Sequence, residues 1–317
     1  VCWLYLAAAV GTWLLLYASD LWWPATLLQF APRWVLLLPL AVLVPAALLR
    51  RRALPAVLAA GLVVAGPVMG LCIPWQPLFT RAPAGLRLRV LTCNLHYRRH
   101  LDAAPLEALV EQARPDVVAL QEWDGSNHSA LLEAPPWHTR RTMVLFLASR
   151  FGIRGGEVIG RHSTGRRGAL LRCDLDTPAG VVHLFTLHLA SPRTELYETA
   201  FDIGRAPELV RSASDVRWTQ MRNVAAAAAA VSGPVVLAGD FNTPPQSAIF
   251  GRVWPDYEDA FGSAGWGWGY TFYGARTMVR IDHVLTSPGW RCERCWVGPD
   301  VGSPHRPVVA DLVWTAP

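Results

Sequence analysis

The first 79 residues of this chain carry almost no charge. Asp20, Arg33, Arg50, Arg51 and Arg52 are all they contribute to the 29 basic and 24 acidic residues of the whole 317. An element that faces water needs a polar face, so so apolar a stretch has to be covered by protein or by lipid. Three runs divide it. Val1–Ala18 is uncharged and long enough to cross most of a bilayer as a helix. Trp34–Leu49 is shorter, with Arg33 and Arg50 at its ends able to snorkel to the interfaces. Ala53–Ile73 is again uncharged, and Trp22, Trp23 and Trp75 stand at run ends, where amphipathic rings favour the headgroup level. We read residues 1–79 as a membrane segment of about three transmembrane helices. A signal peptide followed by a helical hairpin is the alternative, opposed by a first run without a basic start or a small-residue cleavage site.

The triplet Arg50-Arg51-Arg52 faces a lone Arg33 across the second run. The positive-inside rule puts the triplet in the cytoplasm and residues 80–317 outside it. The chain has no Lys, and its Ala- and Arg-rich usage suggests a GC-rich bacterial genome. The expected location is therefore the bacterial inner membrane, multi-pass, with the second part extracytoplasmic.

That second part holds the remaining 25 Arg and 23 acids, a net of +2. So small an excess argues against tight electrostatic capture of nucleic acid. Disordered and collagen-like classes are excluded, because apolar residues make up 52% and the 25 Gly and 25 Pro show no period. Six Cys are too few for a disulfide scaffold. Cys292 and Cys295 form a lone C-x-x-C that can be packed and unpaired, a disulfide, or half of a metal site.

Residues 80–86 read as a linker, with Ala82–Gly85 its Pro/Gly part, and 87–317 as one domain. Apolar runs alternate there with helical stretches. Leu86–Cys93, Val117–Gln121, Met143–Ala148, Gly168–Asp174, Val181–Leu189, Val235–Ala238, Ile281–Leu285 and Val308–Val313 are predicted strands. Pro105–Ala113 and the Ala-rich Asp215–Val231 are predicted helices. Many strands and few helices indicate packed sheets flanked by helices. Polar residues cluster at the strand ends: Asn94, Glu122, His188, Asp240, Asn242, Asp282 and His305. Core packing does not explain that placement, because Asp and Glu are rarely buried unpaired.

These residues, in this order, resemble the endonuclease/exonuclease/phosphatase superfamily, the fold of deoxyribonuclease I, apurinic endonucleases, neutral sphingomyelinases and inositol polyphosphate 5-phosphatases. The matching pieces are Val90-Leu-Thr-Cys-Asn94, Val117-Val-Ala-Leu-Gln-Glu122, Ser149-Arg150, Phe185-Thr-Leu-His188, Gly239-Asp240-Phe241-Asn242, Ile281-Asp282-His283 and Ser303-Pro304-His305. The resemblance spans residues 86–314 and implies a four-layer α/β/β/α sandwich with two mixed sheets.

It also implies roles. Glu122 resembles the family's metal ligand and Asn94 its partner, a carboxylate–amide pair suited to Mg²⁺ or Mn²⁺. Asp240 would orient or activate the attacking water, Asn242 and His188 would contact the phosphate, and Asp282 with His305 would form a proton-transfer dyad. The base is assigned to His305, with Asp240 as the alternative. Arg150 is a candidate substrate contact, with a solvated arginine as the plain reading. His183 and His283 have no family role and read as structural. Two departures stand out. Pro304 replaces the Asp of the family's Ser-Asp-His, which favours a single ion, and His96 stands where several nuclease relatives carry Asn or Asp.

The expected function is a membrane-tethered, metal-dependent phosphoesterase that hydrolyses a lipid-headgroup or other envelope phosphodiester by in-line attack of water. The alternatives are an extracytoplasmic Mg²⁺-dependent nuclease and a membrane-anchored scaffold with a degenerate site. The expected partners are the substrate and the bilayer. Gly265–Tyr273, rich in Gly and aromatics, could stack a base, insert beside headgroups, or be a plain hairpin. Arg193–Asp215 reads as a mobile insertion, a candidate lid.

Overall fold

The computed structural model describes residues 1–75, 84–96, 102–124, 126–142, 144–159, 169–274 and 277–315. The apolar segment is helical but more broken than its hydropathy suggests. It contains α1 (Cys2–Leu16), α2 (Trp23–Phe30), a 3₁₀ turn (Arg33–Leu37), α3 (Leu40–Leu49) and α4 (Leu54–Val63), which runs on into a π turn (Val64–Val68). By length and composition one helix, Arg51–Val68, could cross a bilayer. A second is counted only if α2 and Arg33–Leu49, bent by 84°, form one span. The expected run Trp34–Leu49 is thus a turn and a helix. Pro39 divides it, because a proline cannot donate to the preceding turn and its ring clashes there. Helices α3 and α4 make a hairpin. Arg33 Nη1 donates to Val68 O at 2.7 Å across its base, and Arg50, Arg51 and Arg52 are exposed at its tip.

The rest is an α/β sandwich. Its strands and helices are β1 (Leu86–Asn94), α5 (Ala104–Ala113), β2 (Val117–Gln121), α6 (Ala130–Glu133), β3 (His138–Arg141), β4 (Leu145–Ser149), β5 (Gly152–Val158), β6 (Ala169–Thr177) and β7 (Gly180–His188). Then follow α7 (Arg193–Phe201), α8 (Ala206–Ala229), β8 (Val235–Asp240), α9 (Ala248–Val253), β9 (Glu258–Asp259) and α10 (Ala260–Ala264). Strands β10 (Phe272–Tyr273), β11 (Met278–Val279), β12 (Asp282–Thr286), β13 (Trp290–Val297) and β14 (Val308–Trp314) complete the chain. Of the expected linker, residues 80–83 lie outside the described residues, as do Met143 and Gly168 at two expected strand starts.

Two six-stranded sheets, β13-β14-β1-β2-β4-β3 and β5-β6-β7-β8-β12-β9, stack face to face. Val90, Val117, Leu147 and Ala310 of the first interlock with Leu184, Val236, Ala238 and Val284 of the second. Helix α5 covers the outer face of the first sheet with Leu106, Leu109, Val110 and Ala113, one stripe at i, i+3, i+4 and i+7. It ends at Arg114, in a left-handed conformation just before Pro115. Helix α8 covers the second sheet with Met221, Val224 and Ala228.

Arg193–Asp215 is not a loose insertion but helix α7 and the first turns of α8, which begins at Ala206 rather than Asp215. Pro192 and Pro207 both sit at helix starts, where a missing N–H costs nothing. All six cysteines are free. Cys292 and Cys295 are buried in β13, and burial pushes both thiols well up, so the pair is core and no disulfide forms.

The apolar segment is bolted to the sandwich. Asp20, fully enclosed, pairs with Arg217 of α8 and accepts from Ser214 at 3.0 Å and Ser247 at 2.5 Å. Trp218 Nε1 donates to Asp20 O at 3.2 Å, and Thr277 Oγ1 to Phe30 O at 2.8 Å.

Candidate active site

Each sheet contains one parallel pair, β1 with β2 and β7 with β8, and the rest of the pairing is antiparallel. The carboxyl ends of these four strands point the same way and meet at one edge of the sandwich. Asn94 ends β1 and pairs with Gln121, after which comes Glu122; His188 ends β7 and pairs with Asp240, which ends β8. Strand β12 runs antiparallel to β8, so its first residue, Asp282, also pairs with Asp240. Residues as distant in sequence as Asn94 and Asp240, 146 apart, are thereby within hydrogen-bonding reach.

Backbone shape sharpens the cluster. Glu122 (φ 53°), Asn242 (φ 48°) and His96 (φ 56°) all adopt the left-handed region that L-residues rarely occupy. Strain of this kind collects where surrounding contacts hold a side chain to a task. Gly239 (φ 156°) is forced as well, because a Cβ there would lie 2.1 Å from Leu187 O. The glycine of Gly-Asp-Phe-Asn thus lets β7 and β8 close up just before their functional ends.

Asn94 sits at the centre. Its Nδ2 donates to Glu122 Oε1 at 3.1 Å and to Asp240 Oδ2 at 2.8 Å, while its Oδ1 accepts the His96 N–H at 2.8 Å. A backbone N–H can only donate, so it fixes the amide with its nitrogen toward the carboxylates. Asn94 thereby acts as a donor holding two acids together, and its Oδ1, which accepts from His96 N, keeps a second lone pair that an ion could use. His188 Nε2 lies 3.3 Å from Glu122 Oε1 and 3.8 Å from Asp240 Oδ2. His305 Nδ1 is 2.9 Å from Asp282 Oδ2, and its Nε2 is 3.9 Å from Asp240 Oδ2. Asn242 N donates to Asp240 Oδ1 at 2.8 Å, and one of its amide N–H groups is spent on Leu189 O at 2.8 Å, leaving the other for a ligand.

Seven expected residues are thereby brought together, and one is not. Arg150 follows β4, antiparallel to β2, so it lies beside the start of β2 rather than beside Glu122. Its Nε donates to Pro115 O at 3.0 Å and its guanidinium lies over Trp137. Five residues of strand, about 16 Å, separate it from the site, and the role of substrate contact does not hold. His183 pairs with Asp174 near the far end of the sheet. His283 faces Thr243 O at 3.1 Å and Asp259, which supports the loop after Asn242.

Three further members are given no role at the site by the sequence. His96 Nδ1 stands 3.9 Å from Glu122 Oε2. Ser303 Oγ donates to Asn94 O at 2.6 Å and accepts from His305 N at 3.1 Å, tying the dyad to the end of β1. Gln121 Nε2 donates to Thr92 and Thr186, one in each sheet, and so pins the two sheets together beneath Glu122. The signal for Ser303 was its place two residues before His305, the spacing of a hydroxyl turn.

The electrostatics are those of a site short of positive charge. Burial, and then the neighbouring Asp282, push the Asp240 carboxyl up to about 7. Burial alone would lower His305, but Asp282, through its charge and its hydrogen bond, raises it to about 9. The ion-pair partners of Asp240 and Asp282 among the described residues are imidazoles. Asp282 Oδ1 is buried without a hydrogen-bond partner. Buried acids so under-compensated, rich in hard oxygen donors, fit a divalent cation. The ligating atoms of Asp240, Asp282 and His305 lie within 4.8 Å of one another, and Glu122 flanks them across Asn94.

The profile of the Endonuclease/Exonuclease/phosphatase family matches residues 91–305, the whole span from β1 to the dyad histidine. The chain belongs to this family. Solved family members share the fold at low identity. A humanized D. rerio TDP2 superposes with a TM-score of 0.56 at 17% identity, covering 71% of this chain and 98% of that one. The endonuclease/exonuclease/phosphatase protein of Beutenbergia cavernae gives 0.54 at 22% identity, covering 73% of this chain and 72% of its own. ANGEL2, a 2′,3′-cyclic phosphatase, gives 0.52 at 13% identity, covering 75% and 99%. No curated protein matches by sequence. The share of this chain left uncovered agrees in size with the apolar segment that precedes β1.

Proposed function

We propose that this family member is a metal-dependent phosphodiesterase, held at a membrane by its apolar helices and acting on a lipid-headgroup or other envelope phosphodiester. The observation that carries the reading is the Asp282–His305 dyad placed 3.9 Å from Asp240 and flanked by Glu122 across Asn94. Glu122 would hold a single divalent ion, Mg²⁺ by its oxygen donors or Mn²⁺ in its place, since this leaves the dyad free for proton transfer. Such an ion supplies charge neutralisation at the phosphoryl oxygens.

The protein's own groups divide the remaining work. Asp240, raised to about 7, is a base of suitable strength near neutral pH and orients the attacking water between itself and His305. His305, raised to about 9, is an imidazolium at that pH and faces the charge that builds on the phosphoryl group. The sequence points to His305 as the base; because Asp282 raises His305 above its ordinary range, we propose Asp240 in that role instead. Asp282 holds the ring by its Nδ1 and keeps it charged. His188 and the spare N–H of Asn242 are donors for non-bridging oxygens.

The helical hairpin supports the topology. Its arginine tip lies at the end away from the Arg33–Val68 base, and the positive-inside rule assigns that tip to the cytoplasm and the sandwich to the other side. A nuclease reading draws on relatives, one solved as a D. rerio TDP2 complex with single-strand DNA product. The net charge of +2 on residues 80–317 favours the envelope substrate.

The test uses the full-length chain in detergent. It should hydrolyse bis-p-nitrophenyl phosphate with Mg²⁺ or Mn²⁺, and lose activity with EDTA. Headgroup release from mixed liposomes should exceed plasmid nicking; the reverse supports the nuclease. Metal binding without turnover on any phosphoester would leave the scaffold reading and end this one. Protease added to intact spheroplasts should cut the sandwich, and protection until lysis refutes the topology.

A further inference from the structure

The aromatic stretch Gly265–Tyr273 spans the distance between the apolar helices and the dyad. At one end it is fastened to the last helix. Cys72 and Gly267 exchange backbone hydrogen bonds at 2.8 and 3.0 Å, Trp268 Nε1 donates to Ala65 O at 3.1 Å, and Tyr270 OH donates to Met69 O at 3.3 Å. Those two carbonyls lie in and just after the π turn, where Pro67 removes a donor and upsets the regular ladder. The Tyr270 ring packs into the cluster of Ala9, Ala60, Val64 and Met69, inside the helical segment.

At the other end the stretch touches the chemistry. Thr271, fully buried, accepts at Oγ1 from Ile281 N and Asp282 N, both at 3.1 Å, and its carbonyl accepts from Arg306 N. Phe272 packs edge-on against His305 at 5.0 Å, and Tyr273 N donates to Pro304 O at 2.9 Å. Both members of the dyad are therefore held from this one segment. Gly269 (φ 63°) is obligatory, because a Cβ there would lie 2.3 Å from the Phe261 ring. Glycines that turn the chain, with Trp268 and Tyr270 reaching the helix, account for the later part of the Gly-Trp-Gly-Trp-Gly-Tyr pattern, while Trp266 stays exposed.

We propose that Gly265–Tyr273 is a strut through which the apolar helices set the Asp282–His305 geometry, with Thr271 as its positioning residue. The helices are then part of the active site's framework as well as its anchor. This rests on the dyad role assigned above.

The test uses full-length protein in detergent, with turnover of bis-p-nitrophenyl phosphate and the ¹⁵N-histidine NMR spectrum as independent readouts. Thr271→Val removes the acceptor and keeps the shape. It should lower kcat about tenfold or more with KM little changed, as expected for a misplaced catalytic group, and should perturb the ring-nitrogen signals of His305. Thr271→Ser restores the acceptor and should recover both. Trp268→Phe with Tyr270→Phe removes only the two donors to the helix, distant from the chemistry. This pair should lower kcat at least about threefold and move the same signals. Unchanged kcat and His305 signals in the double variant overturn the strut, whether or not Thr271→Val folds. If the wild-type protein turns nothing over, the phosphodiesterase reading fails while the NMR comparison still decides this one.

Discussion

Two buried aspartates, Asp20 and Asp282, each face a cationic partner, and they are used in opposite ways. Asp20 offers Oδ1 to Arg217 and Ser214 and Oδ2 to Ser247, so both oxygens are satisfied. Asp282 gives one oxygen to His305 and leaves the other buried and unpaired. Asp240, a third acid, crowds the second pair, and both Asp240 and His305 are displaced from their ordinary titration ranges. A buried carboxylate with both oxygens satisfied acts as a fastener, even though Arg217 Nη1 has no partner; one left incomplete and crowded by like charge is primed to take a ligand or move a proton.

Substitutions can break that contrast. His305→Ala should cost roughly 10²–10⁴-fold in kcat; retained turnover would remove His305 from the mechanism. Asp20→Ala strands Arg217 in the core and should cost about 3–5 kcal/mol of stability. Chemical denaturation of the purified protein measures this, and a loss of less than about 1 kcal/mol would show that the fastener carries little. The pair at the site should also respond to pH.

Both shifted groups have folded pKa values above their unfolded ones, so each contributes stability that fades as pH rises. For Asp240 the loss runs from 3.8 to about 7, and for His305 from 6.5 to about 9. Protein stripped with EDTA should therefore melt lower at about pH 8 than at about pH 6, and Asp240→Asn should flatten that slope. In the loaded enzyme kcat/KM should rise as Asp240 ionises and fall as His305 loses its proton. A flat profile would contradict the division of labour. The smallest effect belongs to Arg150→Ala, which removes a ring contact of about 0.5–1 kcal/mol and should leave kcat and KM unaltered.

Much of the sandwich was legible because its buried strands are continuous apolar runs. Val117–Gln121 was read to the residue, and most other strands to within a few. Strands β3, β5 and β13 were missed for local reasons. β3 is four polar residues at an edge, β5 is glycine-bearing and exposed, and β13 carries a bulge between Cys292 and Arg294 that breaks its alternation. Seven site residues were legible because function leaves polar types where strands end. Arg150 was misplaced because a one-dimensional motif does not say at which end of an antiparallel neighbour it falls. The inward role of Asn94, the contact of His96 and the grip of Thr271 depend on side-chain direction and tertiary approach, which periodicity does not carry.

The Asp20 fastener also has a consequence in time. Its partner Arg217 lies 197 residues further along the chain, so at ordinary translation rates about 10–40 s separate the two. During that interval the carboxylate must stay hydrated, and the turn between α1 and α2 cannot take its final seat. Assembly of the helices is therefore gated by synthesis of the long helix that receives them, and a chain cut short before that point would expose an unmatched acid to quality control.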